Sequence, residues 1–427
     1  MRRRAARPRR FTPATRPGRA LVTFCVFFLV ITISGCTEPT TPAPTPNPLP
    51  PVSVALTVSG LAAHEAIRIG VITGPKQGEG SEYRDVAEGA RVGAYRFVMG
   101  GADVDIAVAL DNGTVDGMAA ALTQLDNQHV AGIIVASAGP HVEQALAQTP
   151  VDPPVLLPYD DTDTPAPGAW TTGPTLSMIN ASITTALANL NATKPYVVTE
   201  ANHSGLSVAV ALTSPFSSTA AQDVVDAVES GTADSLVIDA SAVSQAQLAA
   251  SVQQGIGGRQ IPIVLTPEAL TPPFAQTLIG LGPPSSTLVT VGPNTSDPAA
   301  LSSDSTGAHM SAFFTALRLA ANDSACLNIY GDAPFFSASS TADVASHDAV
   351  IALVRAVERA GSTTGSAVKA ALGNLQVQPV DGLAGPTLDF HTPQALSPQT
   401  VQPLYASTQN PGLRPQASAT LVWFPMS

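Results

Sequence analysis

The spacing of apolar positions changes repeatedly along this chain, and each change marks an element. Ile67-Arg68-Ile69-Gly70-Val71-Ile72 is a short β-branched run closed by Gly/Pro punctuation, which reads as a strand and its end. Over 85–99, Val86, Ala90, Gly93, Ala94 and Phe97 fall at helical spacing. The alternation continues with a strand at 104–110, a helix at 115–125, a strand at 132–136, a helix at 140–147 and a strand at 155–157. It then restarts. Strands are expected at 196–199, 235–238, 261–265 and 287–291, and helices at 206–212, 220–228 and 245–254. Three further helices follow at 309–321, 345–360 and 367–372. A Pro/Gln/Ser-rich tail begins at 377 and carries short strands, one of them at 419–423. Strands alternating with helices build parallel sheets covered on both faces, and two successive runs of similar size imply two lobes.

The first 54 residues follow another pattern. Eight arginines and no acid occupy the leader, and 21–33 is an apolar core of 13 residues, short for a membrane span. Val30-Ile31-Thr32-Ile33-Ser34-Gly35-Cys36 then looks like a bacterial lipobox: an apolar residue and two small residues present an uncrowded cut before a cysteine. This predicts a signal peptide over 1–35, with the Cys36 thiol taking a diacylglycerol and its freed amine a further acyl chain. The alternative is a true N-terminal anchor with Cys36 incidental. Residues 36–54 are dense in proline, which favours extended conformations and reads as a tether holding the body off the membrane. The expected location is the extracytoplasmic face of the cell membrane, held there by lipid.

Charge narrows the partners. Without the leader, 392 residues remain, with 12 basic side chains against 32 acidic and a net charge of −20. A surface this acidic repels phosphate backbones and anionic lipid, so nucleic acid is not an expected partner. Of three cysteines, Cys25 leaves with the leader and Cys36 carries lipid, so Cys326 stands alone as a buried small residue. Seven histidines are scattered without metal spacing, and no Gly-x-Ser-x-Gly, His-Glu-x-x-His or phosphate-loop motif occurs. Asn202-His203-Ser204-Gly205 has the atoms for a nucleophile and base, but neighbours on one loop rarely align. No enzyme, metal or cofactor is expected.

Five segments together resemble the type I periplasmic binding proteins, the group that contains the leucine/isoleucine/valine-binding proteins of ABC transporters. They are Ile67 to Val71, Glu88-Gly89-Ala90-Arg91, Leu265-Thr266-Pro267-Glu268, His347-Asp348-Ala349-Val350 and Gly385-Pro386-Thr387-Leu388-Asp389-Phe390. The similarity runs from about 67 to about 406. It implies an α/β fold of two lobes joined by a hinge, each lobe a parallel sheet flanked by helices. The first lobe would combine 55–172 with 293–376, and the second 173–292 with 377–427. It also implies a small-molecule solute in the cleft and an ABC permease as a possible partner. The rival reading is an envelope lipoprotein, sensor or scaffold, that no longer transports.

The resemblance places three loops at the site. Ser137-Ala138-Gly139 precedes a helix, where relatives hold a ligand carboxylate; here only Ser137 offers a hydroxyl, and its other reading is a turn or cap. Tyr159-Asp160-Asp161 follows a strand where relatives carry Ser, Ala and Thr. These acids either face the cleft and favour a cation or form a solvated turn, and the ligand set for calcium is incomplete. Glu268 matches the glutamate that pairs with a ligand ammonium, or else is an acid at a helix start. Ala240 and Ser241 stand where relatives place an aromatic over the ligand. Tyr159, Tyr83 or Trp170 either replaces that wall or packs in the first lobe. The ligand expected is an amino acid or a similar small ammonium compound.

Overall fold

The structure is a computed structural model that describes residues 52–61, 65–77, 80–201, 203, 205–209, 212–415 and 421–426. The leader, Cys25, Cys36, the tether up to residue 51, His64, Asn202 and Ser204 lie outside them.

β1 (Ile67–Thr73), α1 (Gly89–Met99), β2 (Val104–Leu110), α2 (Val115–Asn127), β3 (Gly132–Ala136), α3 (Pro140–Gln148), β4 (Val155–Leu157) and β5 (Ala169–Thr171) alternate along the first third of the chain. Their strands form an all-parallel sheet in the order β2-β1-β3-β4-β5. Both faces are buried, which is why the strands read as almost unbroken apolar runs. Ile69, Val71 and Ile134 point into one core, and Ile72, Ile133 and Val135 into another beside Met118, Leu122 and Val142 of α2 and α3.

The second run is α4 (Leu176–Asn189), β6 (Pro195–Thr199), β7 (Leu212–Pro215), α5 (Ala220–Glu229), β8 (Ser235–Asp239), α6 (Ala242–Gly255), β9 (Ile263–Leu265), α7 (Pro272–Leu281) and β10 (Leu288–Gly292). The chain then forms α8 (Ser305–Asn322), α9 (Val344–Ala360) and α10 (Gly365–Leu372), and the short antiparallel pair β11 (Gln376–Val377) and β12 (Leu388–Asp389). It ends in β13 (Gln402–Ser407) and β14 (Val422–Pro425). The second sheet runs β14-β13-β10-β9-β8-β6-β7. It is mixed rather than wholly parallel, because β13 pairs antiparallel with β10 and β14 with β13. The expected helix at 206–212 is absent among the described residues there; Leu212 instead opens β7, an exposed edge strand parallel to β6.

Helices from the later chain complete the first lobe. α9 packs along α1, where Gly89 and Gly93 form a smooth strip: a Cβ at Gly89 would collide with the Asp343 carbonyl oxygen, and one at Gly93 with His347 and Val350. Val377, Leu383, Leu388, Phe390, Ala395, Leu396 and Val401 also lie in the first lobe's core, so this stretch of the tail packs there rather than with the second lobe. The chain therefore crosses between lobes after β5, after β10 and before β13. The tether's last residues are held too: the buried Arg96 guanidinium donates to the carbonyls of Ser53 (3.0 Å) and Val54 (2.8 Å). Among the described residues no helix is long and apolar enough to cross a membrane. Cys326 is buried, and burial pushes its thiol up to about 11, which suits packing and not nucleophilic chemistry.

Candidate functional site

In each sheet the strand order reverses direction once, between β1 and β3 and between β6 and β8, and crevices form at the carboxyl ends of strands beside such points. The two crevices face one cavity of about 910 Å³. The first lobe supplies the loops after β3 and β4 and the short helical turn Ser81–Tyr83. The second supplies Glu200 after β6, Asp239 and Ser241 at the end of β8, and Glu268 in the turn Pro267–Leu270 after β9.

Seven of the eight expected ligand-binding residues line this cavity: Ala138, Gly139, Tyr159, Asp160, Asp161, Ser241 and Glu268. Ser137 does not. Its side chain is fully buried, and its hydroxyl donates to Asp111 Oδ2 at 2.7 Å, beside the His141 Nε2 contact with the same oxygen at 2.6 Å. Burial would raise the Asp111 carboxyl, but the hydrogen bonds from His141 and Ser137 outweigh it and hold the carboxyl below its ordinary value. The only hydroxyl expected to meet a ligand carboxylate is thus turned inward. Trp170 also faces away, donating from Nε1 to the Phe390 carbonyl at 3.1 Å.

The cavity is acidic well beyond what its loops suggested. Glu82, Asp85, Glu143, Asp160, Asp161 and Asp163 come from the first lobe and Glu200, Asp239 and Glu268 from the second, against Lys76 and His203. Burial raises Glu268, although His203 and the Thr266 hydroxyl work against it. Gln245 Nε2 (3.3 Å) and, at the long end of the range, Tyr83 Oη (3.5 Å, from the opposite lobe) also donate to it. Burial lifts Asp160 to about 7, and burial with the nearby Glu268 and Asp239 charges lifts Asp161 to about 6. His203 is pushed the other way: burial opposes its charge, but the Asp239 carboxylate 3.6 Å away and the Glu268 charge carry the imidazole up to about 9. Glu200 is anchored differently. Burial is outweighed by the Ser241 N–H (2.8 Å) and the Ser244 hydroxyl (2.9 Å) at the start of α6, which hold its carboxyl below the usual range.

Tyr83 and Tyr159 stack at 4.7 Å between ring centroids and form the back wall. Tyr159 donates to Asp343 Oδ2 at 2.8 Å, while Asp343 Oδ1 caps α9 through Ser346 N–H at 3.0 Å. The cap of a helix from the later chain therefore fixes a cavity-wall ring from the earlier chain. Behind the rings lies a second cavity of about 230 Å³, walled in part by Leu270, Leu388, Leu421 and Trp423.

The profile of the periplasmic binding proteins matches residues 66–409. The chain belongs to the periplasmic binding protein family. Solved structures place this periplasmic binding protein among two-lobed type I folds. A type 1 periplasmic binding protein from Bordetella pertussis Tohama I superposes with a TM-score of 0.60 at 14% identity, over 85% of this chain and 100% of that one. The substrate-binding protein LivJ of the Streptococcus pneumoniae branched-chain amino acid transporter, solved with isoleucine, gives 0.58 at 15% identity over 84% and 100%. An R. palustris solute-binding protein solved with 4-hydroxybenzoate gives 0.61 at 13% identity over 85% and 96%. No curated protein matches the chain at a significant level.

Glu82, Glu143, Glu200 and Asp239 were not among the expected site residues of this periplasmic binding protein. Glu200 and Asp239 had a readable signal, since each is an acid at the end of an apolar strand. Glu82 had none, because its place in the cleft depends on the second lobe.

Proposed function

We propose that this periplasmic binding protein is an extracytoplasmic solute receptor, lipid-anchored through Cys36, which binds an amino acid or similar small ammonium compound between its lobes. Closure about the hinge would then present the loaded protein to an ABC permease. The observation that carries the reading is the position of Glu268. Its carboxylate faces a cavity built from both lobes, within reach of Tyr83 from the opposite side, so a cation paired there touches both lobes and favours the closed form. Relatives of this fold solved with isoleucine and with 4-hydroxybenzoate support a small organic solute.

The test is thermal melting of the detergent-solubilised full chain with amino acids, simple amines and neutral sugars. A true solute at 100 times its Kd should stabilise by about 2.7 kcal/mol. A panel that leaves the midpoint unmoved throughout would remove the receptor reading. The anchor has its own check: Cys36→Ala should shift the protein from the washed membrane fraction to the soluble fraction, and continued retention would refute lipidation at that residue.

A further inference from the structure

The cleft holds more carboxylates than one ammonium group can answer, and they are spread out. Nine line the cavity, yet among the described residues no three His, Cys, Asp or Glu side chains come close enough together to hold a metal ion. They come from both lobes, with Glu143, Asp160 and Asp161 on the first and Glu200, Asp239 and Glu268 on the second, and neighbours among them repel one another. Asp160 is repelled by Glu143 and Asp161, Asp161 by Glu143, Glu268 and Asp239, and Glu268 by Asp239. A dense dication suits a point where ligands converge. Separate anions spread over both lobes of one cavity suit charges set apart along a chain.

Two of these carboxylates, Asp161 and Asp160, have few donors. The Asp161 carboxylate accepts no hydrogen bond from a described side chain or backbone N–H, while its main-chain carbonyl takes the Leu176 N–H at 2.7 Å. Asp160 is only 3% exposed and accepts the Thr162 N–H, 3.0 Å from Oδ1. A carboxylate with so few donors inside the cleft has lone pairs to offer a cation arriving from solution. Nothing comparable awaits an anion. The Ser137 hydroxyl is committed to Asp111, no arginine lines the cavity among the described residues, Lys76 is its single ammonium, and the His203 imidazole already faces Asp239 at 3.6 Å. The stacked faces of Tyr83 and Tyr159 add an apolar, electron-rich wall that suits methylene and ammonium groups.

Building on the receptor reading above, we infer that the solute is a linear oligo-cation, with two or more ammonium groups along an aliphatic chain and no carboxylate. Calorimetric titration of the full chain with n-butylamine, 1,4-diaminobutane, spermidine, leucine and calcium chloride tests this. Affinity is expected to rise about tenfold with each added ammonium group. Asp161→Asn, at a carboxylate with no hydrogen-bond donor among the described residues, should weaken spermidine by about tenfold and n-butylamine by less than about threefold. Equal affinity for the three amines, no binding of any amine, or calcium displacing spermidine at micromolar concentration would each overturn the inference. Small-angle scattering separates it from the reading beneath it. Leucine binding with a smaller radius of gyration would keep the receptor and refute the oligo-cation. A spermidine ladder with no change in radius would keep the oligo-cation site and refute hinge closure.

Discussion

Arg96→Met should cost the folded chain about 3–5 kcal/mol, seen as a lower urea midpoint at unchanged slope. Arg96 lies on α1 with 1% of its surface exposed. Its guanidinium serves four acceptors: Val54 O from Nε, Ser53 O from Nη2, and Gly382 O (2.6 Å) and His347 Nε2 (3.1 Å) from Nη1. Burial lowers it to about 10, against the pull of Asp348, so it remains charged at neutral pH. Because His347 Nε2 accepts from Arg96, the ring carries its proton on Nδ1 and donates to Asp348 Oδ1 at 2.7 Å. Asp348 in turn receives the N–H groups of Ala384 and Gly385, each at 2.8 Å. One cation thus ties the entering chain, α1, α9 and the loop before β12 into a single buried network. Methionine fills much of the space but leaves carbonyls and an imidazole nitrogen without donors. Arg96→Lys should rescue little, since one ammonium cannot reproduce a planar fork aimed at separate acceptors. A loss below about 1 kcal/mol would show that the network is replaceable by water.

Glu88→Gln should stabilise the protein on the order of 3 kcal/mol at about pH 8 and leave it unchanged at about pH 4. Glu88 is 2% exposed at the start of α1, where both carboxyl oxygens face the Ile329 N–H, the nearer at 3.1 Å. Burial lifts its pKa from 4.5 to about 7, with the Ile329 N–H and Arg91 pulling the other way. Between those values the folded chain holds a proton that the unfolded chain has released. Stability therefore falls as pH rises from about 4.5 to about 7, and above that window the folded protein carries the full cost of a buried charge. Glutamine keeps an acceptor for Ile329 and never ionises. A mutant advantage that is the same at both pH values would show that Glu88 is not the group that titrates.

The sequence made the parallel cores plain and hid the pieces whose composition resembles loops. Strands such as Ile133 to Val135 are buried on both faces, so their apolar signal is unmistakable. α4 was missed because Ser, Thr and Asn dominate its exposed face; its stripe of Met178, Ile179, Ile183, Ala186 and Leu187 is there in retrospect. α7 opens on Pro272-Pro273, which reads as a break although proline is welcome in a first helical turn. The stretch ending at Leu212 mixes small and β-branched residues that fit helix or strand equally; of its described residues only Leu212 joins a regular element, where it pairs with β6. At the site, residues at strand ends were legible as positions, but their directions were not. Nothing near Ser137 in sequence shows that Asp111, 26 residues earlier, takes its hydroxyl. Nor does anything near Glu82 or Tyr83 place them opposite Glu268, 185 residues beyond Tyr83.

The antiparallel edge of the second sheet has a consequence for how the chain acquires its structure. β13 and β14 supply two of seven strands, and β13 covers β10, which would otherwise be an open edge. The first sheet likewise waits for α9 and α10 to bury one face. During synthesis or passage through a membrane, neither half can therefore mature while the other is still being delivered. Folding should be a late, nearly simultaneous event for both halves, governed by long-range contacts and slow for that reason. Until residues beyond 402 emerge, the chain presents unfinished sheet edges and depends on chaperones or speed to keep them from pairing with other chains.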